Sequence, residues 1–208
     1  MLTADAIAGL LQPYLNGIGA GGAAFDQARV CGQLVVYLEL ILKWNARINL
    51  TAIRSPEEIV RRHFGESLFV GARLGECETL LDFGSGAGFP GVPIQLLRSD
   101  VAVTLAESRS KKAAFLHEVV RALDLRCEVW AGRVEAMPLE RRFDLVAMRA
   151  VDDMASALVE AGRRAQERVM VLGTVGSPVA GRLAGFQVGE AIALPGASES
   201  VLWVAQRG

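Results

Sequence analysis

Three things are scarce in this 208-residue chain: cysteine, surplus positive charge and long apolar runs. The three cysteines, Cys31, Cys77 and Cys127, are odd in number and lack metal-ligand spacing, which argues against a disulfide framework and against a metal site. Reduced thiols in a cytoplasmic protein are the simplest expectation. Lys and Arg total 22 against 23 Asp and Glu, so the net charge is −1. That excludes a broadly basic nucleic-acid coat, though not a local patch. No apolar run approaches the roughly 20 residues that cross a bilayer, so no membrane partner is expected. No basic segment followed by an apolar one opens the chain, as it would in an export signal. Repeats and low-complexity tracts are missing too, apart from a small Gly/Ala cluster at Gly17–Ala24. Apolar side chains are plentiful, at 51% of residues, enough to bury a full core in one domain with an appendage.

The chain is organised around Leu80-Leu81-Asp82-Phe83-Gly84-Ser85-Gly86-Ala87-Gly88-Phe89-Pro90-Gly91. A short apolar run leads into four glycines within eight positions, and an apolar, helix-like segment follows from Val92 to Leu97. A strand that breaks into a glycine-rich turn before a helix lets backbone N–H groups approach a ligand that a Cβ would exclude. The letters also parse as Gly86-x-Gly88-x-x-Gly91, a dinucleotide fingerprint that is weak by itself. Two carboxylates turn the reading away from a nicotinamide cofactor. Asp82, two residues before the first glycine, would hold a cationic or hydroxyl-rich ligand and repel a pyrophosphate. Glu107 closes the next apolar run, where a ribose-binding carboxylate belongs. The set Asp82, Gly84, Gly86, Gly88 and Glu107 therefore suits S-adenosyl-L-methionine, which carries ribose hydroxyls and an amino-acid tail but no phosphate.

Before this stretch the pattern is helical. Thr3 caps a short helix running through Leu11, ahead of Pro13. Asp26 caps a longer one reaching Trp44 and ending near Asn45, with Val30, Leu34, Tyr37, Leu38, Ile41 and Leu42 at helical spacing. Ser55-Pro56-Glu57-Glu58 opens a third, with a Ser cap, Pro at the first helical position and Glu58 in the capping-box place, and it should finish near Gly71. Residues 1–75 thus read as a helical unit and 76–208 as an α/β domain. In that second part, strands are expected at 78–83, 101–106, 126–131, 143–148 and 167–172, with helices at 89–98, 109–123 and 153–165. The alternation implies a doubly wound, mostly parallel seven-stranded sheet of the Rossmann-like kind, closed by a hairpin over about 183–206. In such a sheet Gly84–Gly88, Glu107, Gly132–Glu135 and Arg149 all stand at strand ends and should meet on one rim.

At these residues the sequence resembles the RsmG/GidB family, bacterial methyltransferases of guanine N7 in small-subunit ribosomal RNA. The stretches that carry the resemblance are Lys43-Trp44-Asn45 with Asn49-Leu50-Thr51, Arg62-His63 with Glu66-Ser67, Asp82 to Gly91, Glu107-Ser108, Gly132-Arg133-Val134-Glu135, and Phe143-Asp144 with Arg149-Ala150. They run in order over about residues 38–151. The resemblance implies that Gly84, Phe89, Val134, Glu135 and Arg149 contact the cofactor or the transfer site, and that the substrate is 16S rRNA or the small subunit. Arg149 and Glu66 are the catalytic candidates, and a monomer is expected. Three positions depart from the family pattern. Glu66 stands where an Asp is usual, Leu172-Gly173 where a Lys-Gly pair is usual, and Ser200 where an Arg is usual.

Guanine N7 already bears an in-plane lone pair, so its methylation needs no general base. In-line geometry and exclusion of water can supply roughly 7–11 kcal/mol of the barrier. Neither an Asn/Asp-Pro-Pro-aromatic motif nor a strand-end Pro-Cys pair occurs, which fits that economy. Arg149 suits a phosphate or guanine O6, with a salt bridge to Asp152 or Asp153 as the plain alternative. For Glu135, the backbone lines the adenine side while the carboxylate starts a helical turn. His63 reads as a structural hydrogen-bonding group, and Trp44, Asn45 and Asn49 as locks between the helical unit and the sheet. Arg109, Lys111 and Lys112 read equally as an RNA-facing rim or a solvated face, while Arg163, Arg164 and Arg168 read as bland far-side charges. Two rivals stay open: a class I methyltransferase for a small molecule or protein, and a cofactor-binding regulator without catalysis.

Overall fold

The computed structural model describes residues 2–15, 26–177, 179, 181–197 and 199–208, so the Gly17–Ala24 cluster lies outside the described residues. The chain begins with α1 (Ala4–Leu15) and α2 (Gln27–Asn45). A continuous helical stretch then runs through α3 (Pro56–Glu58), a π-helical segment at Ile59–Gly65 and α4 (Glu66–Gly71). Thereafter strands and helices alternate: β1 (Thr79–Phe83), α5 (Gly91–Leu97), β2 (Ala102–Ala106), α6 (Ser110–Ala122), β3 (Glu128–Trp130), β4 (Phe143–Arg149), α7 (Met154–Arg164) and β5 (Ala165–Thr174). The chain closes with β6 (Phe186–Val188), β7 (Ile192–Ala193) and β8 (Ser200–Arg207).

The strands lie in the order β3-β2-β1-β4-β5-β8-β6, parallel from β3 to β5 and antiparallel where β8 joins. Eight strands thus occupy seven positions. β6 pairs with β8 at Gln206 and β7 pairs with it at Leu202, two pieces of one edge strand interrupted after Val188. The doubly wound α/β class stands, and the final antiparallel element is the expected hairpin.

Side chains alternate across the sheet with period two, and the two faces bury different partners. Leu80, Leu145, Ala147 and Met170 face a cluster shared with α1, α2, α4, α5 and α6. Leu81, Val146, Met148, Val169 and Val171 face α7 and residues around Met137 and Leu183. The N-terminal helices therefore share one core with the sheet, and residue 75 marks a change of element type within it.

Helix starts follow the caps read in the sequence. Thr3 Oγ1 accepts from the Ala6 N–H, Asp26 from Arg29 and Ser55 from Glu58. The carboxylate that meets Ser55 is that of Glu57 and not of Glu58, and it accepts from the hydroxyl at 2.8 Å. α1 does not stop before Pro13. The ring removes one N–H donor, which would have served the carbonyl of exposed Gly9, and burial of Tyr14 and Leu15 carries the helix on. The π-helical segment was not expected either; it spaces buried Ile59 and Phe64 five residues apart.

The supposedly bland arginines include two structural ties. Arg164 is 2% exposed, and its guanidinium donates to Glu160 Oε1 at 2.6 Å and to the carbonyls of Pro138, Met137 and Arg141. Arg168 donates to the Leu74 and Glu76 carbonyls, fastening the exit of α4 to β5. Arg164→Ala strips the buried Glu160 of its closest cation and should lower unfolding free energy by about 3–5 kcal/mol in urea titrations. The pair of substitutions Arg164→Met and Glu160→Leu removes the stranded carboxylate but leaves the three carbonyls without their donor, and should recover part of that loss; a destabilisation as large as the single variant's would refute the ion-pair account.

Candidate active site

The carboxyl ends of β1, β2, β3 and β4 open onto a cleft of about 550 Å³. Its floor is the glycine-rich loop after β1. Ser85 N–H donates to the Ala106 carbonyl, and Gly88 and Phe89 N–H return to the Ser85 carbonyl, so the loop folds back on itself beside β2. Asp82 sits beneath this loop with no exposed surface, and one of its carboxylate oxygens accepts from Gly91 N–H at 2.9 Å. A Cβ on Gly91 would come within 2.7 Å of that carboxylate, so only glycine closes the turn. Burial pushes the Asp82 carboxyl up to about 7, against the lowering effect of the Gly91 N–H and Ser85.

The helical unit reaches into this loop from behind. Tyr37 on α2, fully buried, donates its hydroxyl to the Ala87 carbonyl. Gly88 has φ +92°, and a Cβ there would lie 2.5 Å from the Tyr37 oxygen. Tyr37 stacks on Phe64 with ring centroids 5.2 Å apart, and Phe89 packs against both rings. His63 stacks on Phe89 at 4.6 Å and shares a 2.7 Å hydrogen bond with Thr51 Oγ1 through Nε2. Burial, assisted by Arg149 and Arg62, pushes the His63 imidazole down to about 3, so the ring is neutral near pH 7.

Glu107 lies at the end of β2, 6% exposed, and lines the cleft. Its two oxygens accept from Gly86 N–H at 3.0 Å and Arg109 N–H at 2.7 Å, fixing the loop and the start of α6 at once. A carboxylate has about four acceptor sites, so two remain for a ligand's hydroxyls. Val134 is buried in a single 3-10 turn (Val134–Ala136), and Glu135 beside it pairs with Arg133 at 3.5 Å. Both line the cleft.

Arg149, the last residue of β4, meets neither Asp152 nor Asp153. Its Nη2 lies 2.9 Å from Glu66 Oε2, and Nη1 donates to the Arg62 carbonyl at 2.8 Å. Asp152 pairs instead with Arg109, at 3.0 Å. Burial raises the Glu66 carboxyl while Arg149, Arg62 and the Ser200 hydroxyl oppose that rise. Two of the three departures from the family pattern thus meet at one point, since Glu66 and Ser200 are neighbours.

The cleft brings together Gly84, Gly86, Phe89, Glu107, Val134, Glu135 and Arg149. Asp82 and Gly88 are not on it: the first braces the loop from below, and the second leaves room for Tyr37. Glu66 stands behind Arg149, 3% exposed. Trp44 locks the helical unit as expected, donating to Glu118 of α6 at 2.9 Å. Asn45 and Asn49 instead brace their own loop, through Leu50, Thr51 and Arg54. The part played by Tyr37 was invisible in the sequence, where it occupies an ordinary apolar position of a helix. Val151, also on the cleft, gave no signal, and Thr51 stood out only as part of the Asn49-Leu50-Thr51 stretch, with no role read for it.

A family model described as rRNA small subunit methyltransferase G matches residues 30–173. The chain belongs to the GidB family. Among curated members, the ribosomal RNA small subunit methyltransferase G of Nitrosomonas europaea is 44% identical over 130 residues, 62% of this chain and 60% of that protein. Its namesake from a Roseiflexus species is 43% identical over 148 residues, 68% of this chain and 63% of that protein. The chain thus spans about three fifths of the length of these GidB relatives. Similar solved structures include a SAM-dependent methyltransferase from Aquifex aeolicus, with TM-score 0.54 and 19% identity over 69% of this chain and 90% of that one. Another is magnesium protoporphyrin IX methyltransferase from Synechocystis PCC 6803, with TM-score 0.54 and 12% identity over 97% of both chains. At such identities the likeness is one of fold, the class I methyltransferase fold.

The elevated Asp82 pKa carries a sign that can be measured. An acid whose native pKa lies above its unfolded value binds more protons when folded, so it erodes stability as pH rises from about 4 to about 7. Asp82→Asn keeps an acceptor for Gly91 N–H and cannot ionise. Denaturant titrations should show the variant gaining on the parent protein between pH 4 and 7, with a constant difference above that; parallel pH profiles would refute the assignment.

Proposed function

We propose that the cleft binds S-adenosyl-L-methionine and transfers its methyl group to N7 of a guanine in 16S rRNA, free or within the small subunit. The observation that carries this reading is Glu107, clamped to the loop by two backbone N–H groups yet retaining acceptor sites toward the cleft. Those sites suit the vicinal hydroxyls of a ribose. Gly84 and Gly86 leave the loop bare of side chains beside them. Val134 and the backbone of Glu135 suit the adenine. The cleft has carboxylates and cations in balance, Glu107, Glu135, Asp152 and Asp153 against Arg109, Lys112, Arg133 and Arg149, which fits a sulfonium nucleoside better than a pyrophosphate.

S-adenosyl-L-methionine supplies an electrophilic methyl group, which the N7 lone pair takes up as the sulfur departs neutral. The residues of the chain need only orient and dehydrate, since N7 carries no proton to remove. Arg149 spends two N–H donors on Glu66 and Arg62 and keeps three of its five for a guanine O6 or an adjacent phosphate. Glu66 positions that guanidinium and offsets its charge. His63, neutral and tied to Thr51, forms part of the wall and moves no proton. The reading takes the protein as a monomer working in the cytoplasm, where its RNA resides.

Mass mapping of 16S rRNA from a strain lacking this gene tests the reading directly: one guanine N7 methyl group should disappear and return with the gene. Unchanged methylation would overturn it. In purified protein, Gly84→Leu meets both the +73° φ and Val151 3.3 Å away, and should abolish cofactor binding in calorimetry. Arg149→Lys keeps a charge for Glu66 but loses the planar fork. It should hold cofactor affinity within about tenfold while transfer falls by more than about a hundredfold; normal turnover would reduce Arg149 to a structural role.

A further inference from the structure

Further along α7 from the cleft, where β4 and β5 begin and β8 ends, lies a groove of about 530 Å³ whose lining includes Arg142, Arg163, Arg182, Arg207, Leu139 and Val159. Among the described residues no carboxylate lines it. Four guanidinium groups so grouped stand out in a chain of net charge −1. Arg142 and Arg207 are held in place by backbone carbonyls, Arg142 by Ala165, and Arg207 by Gln166, Gly162 and Ala165 at 2.7–2.9 Å. These bonds fix the side chains without cancelling their charge. The Arg207 guanidinium also lies 4.4 Å from the Phe186 ring centroid. Arg163 approaches Glu160 at 3.4 Å, but that carboxylate already receives buried Arg164 at 2.6 Å, so one negative charge serves two cations. Arg163 and Arg182 are exposed. Leu139 is 87% exposed beside them, an apolar edge of the kind that packs on ribose and base faces.

Helix α7 joins this groove to the cleft. Asp153, Ser156 and Ala157 at its start line the cleft, and Val159, Gly162 and Arg163 in the following turns line the groove. Hydrogen bonds from Ser156 hold the Asp153 carboxyl down, and Arg182 adds the smallest share. The cleft itself is balanced in charge and gives little general attraction for a polyanion. We propose that the arginine groove is a second RNA contact, gripping the sugar–phosphate backbone of the strand whose guanine enters the cleft. This rests on the reading of the cleft as an RNA-modifying site. Phosphate contacts of this kind fix register and supply affinity without reading sequence.

The test uses the full chain and the variant Arg163→Gln/Arg182→Gln, neither residue being part of the cleft. Binding to protein-free 16S rRNA is measured across a salt series, with cofactor affinity and thermal midpoint as controls expected to stay unchanged. Two lost phosphate contacts should lower the slope of log Kobs against log salt by about 1.5 and weaken binding about tenfold at physiological salt. A variant with the parent protein's slope and affinity overturns the proposal. So does a variant that binds naked rRNA normally but intact small subunits poorly, since the occupant would then be an acidic protein surface. If the parent protein methylates no rRNA yet binds it with a slope that the variant lowers, the groove stands and the reading of the cleft falls. If the parent protein binds no RNA at all, both fall.

Discussion

The contact on which the site depends is the one between Tyr37 and the glycine-rich loop. The Tyr37 hydroxyl bonds the Ala87 carbonyl, and Gly88 offers no Cβ to obstruct it. A buried phenol that gave up this acceptor would leave both groups unsatisfied, at about 1–3 kcal/mol each. The loop is therefore held from two sides, by Asp82 through Gly91 beneath and by α2 behind. The helices preceding the sheet are thus part of what holds the floor of the cleft in place. Without them the loop would keep its covalent shape but lose the wall of Tyr37, Phe64 and His63 against which its own Phe89 packs.

The same helices set the charge at the cleft's edge. The π-helical segment ends as α4 begins, and there the Arg62 carbonyl and the Glu66 carboxylate both turn to Arg149 on β4. One guanidinium is thereby oriented by two groups from a single helical stretch. Its planar fork is held in one orientation by contacts within the chain.

Much of this was legible in the sequence because it follows local rules. Strands with period-two burial, caps at Thr3, Asp26 and Ser55, and glycines at a strand–helix turn all announce themselves within a few residues. What stayed hidden depends on partners far along the chain. Asp82 looked like a ligand-facing carboxylate because it stands two residues before the first glycine of the turn; the fold places it under the loop. Arg164 looked bland because helical spacing alone cannot reveal that three backbone carbonyls and Glu160 enclose it. For Arg149, nearby Asp152 was the obvious partner by proximity in sequence, yet the partner chosen is Glu66, on the other side of the sheet's first strand in chain order. Propensity and pattern describe surfaces; they do not say which surface meets which.

The split of the last sheet position into β6 and β7 has a bearing on how the molecule behaves in a crowded solution. A long, regular border of unpaired backbone groups invites a neighbouring chain to continue the ladder. Here that border is broken after Val188 into pieces of three and two residues, and the opposite border, β3, is three residues long. Neither margin gives a stranger enough consecutive partners to stick, so the wide sheet needed to build the cleft comes with its own protection against stacking into aggregates.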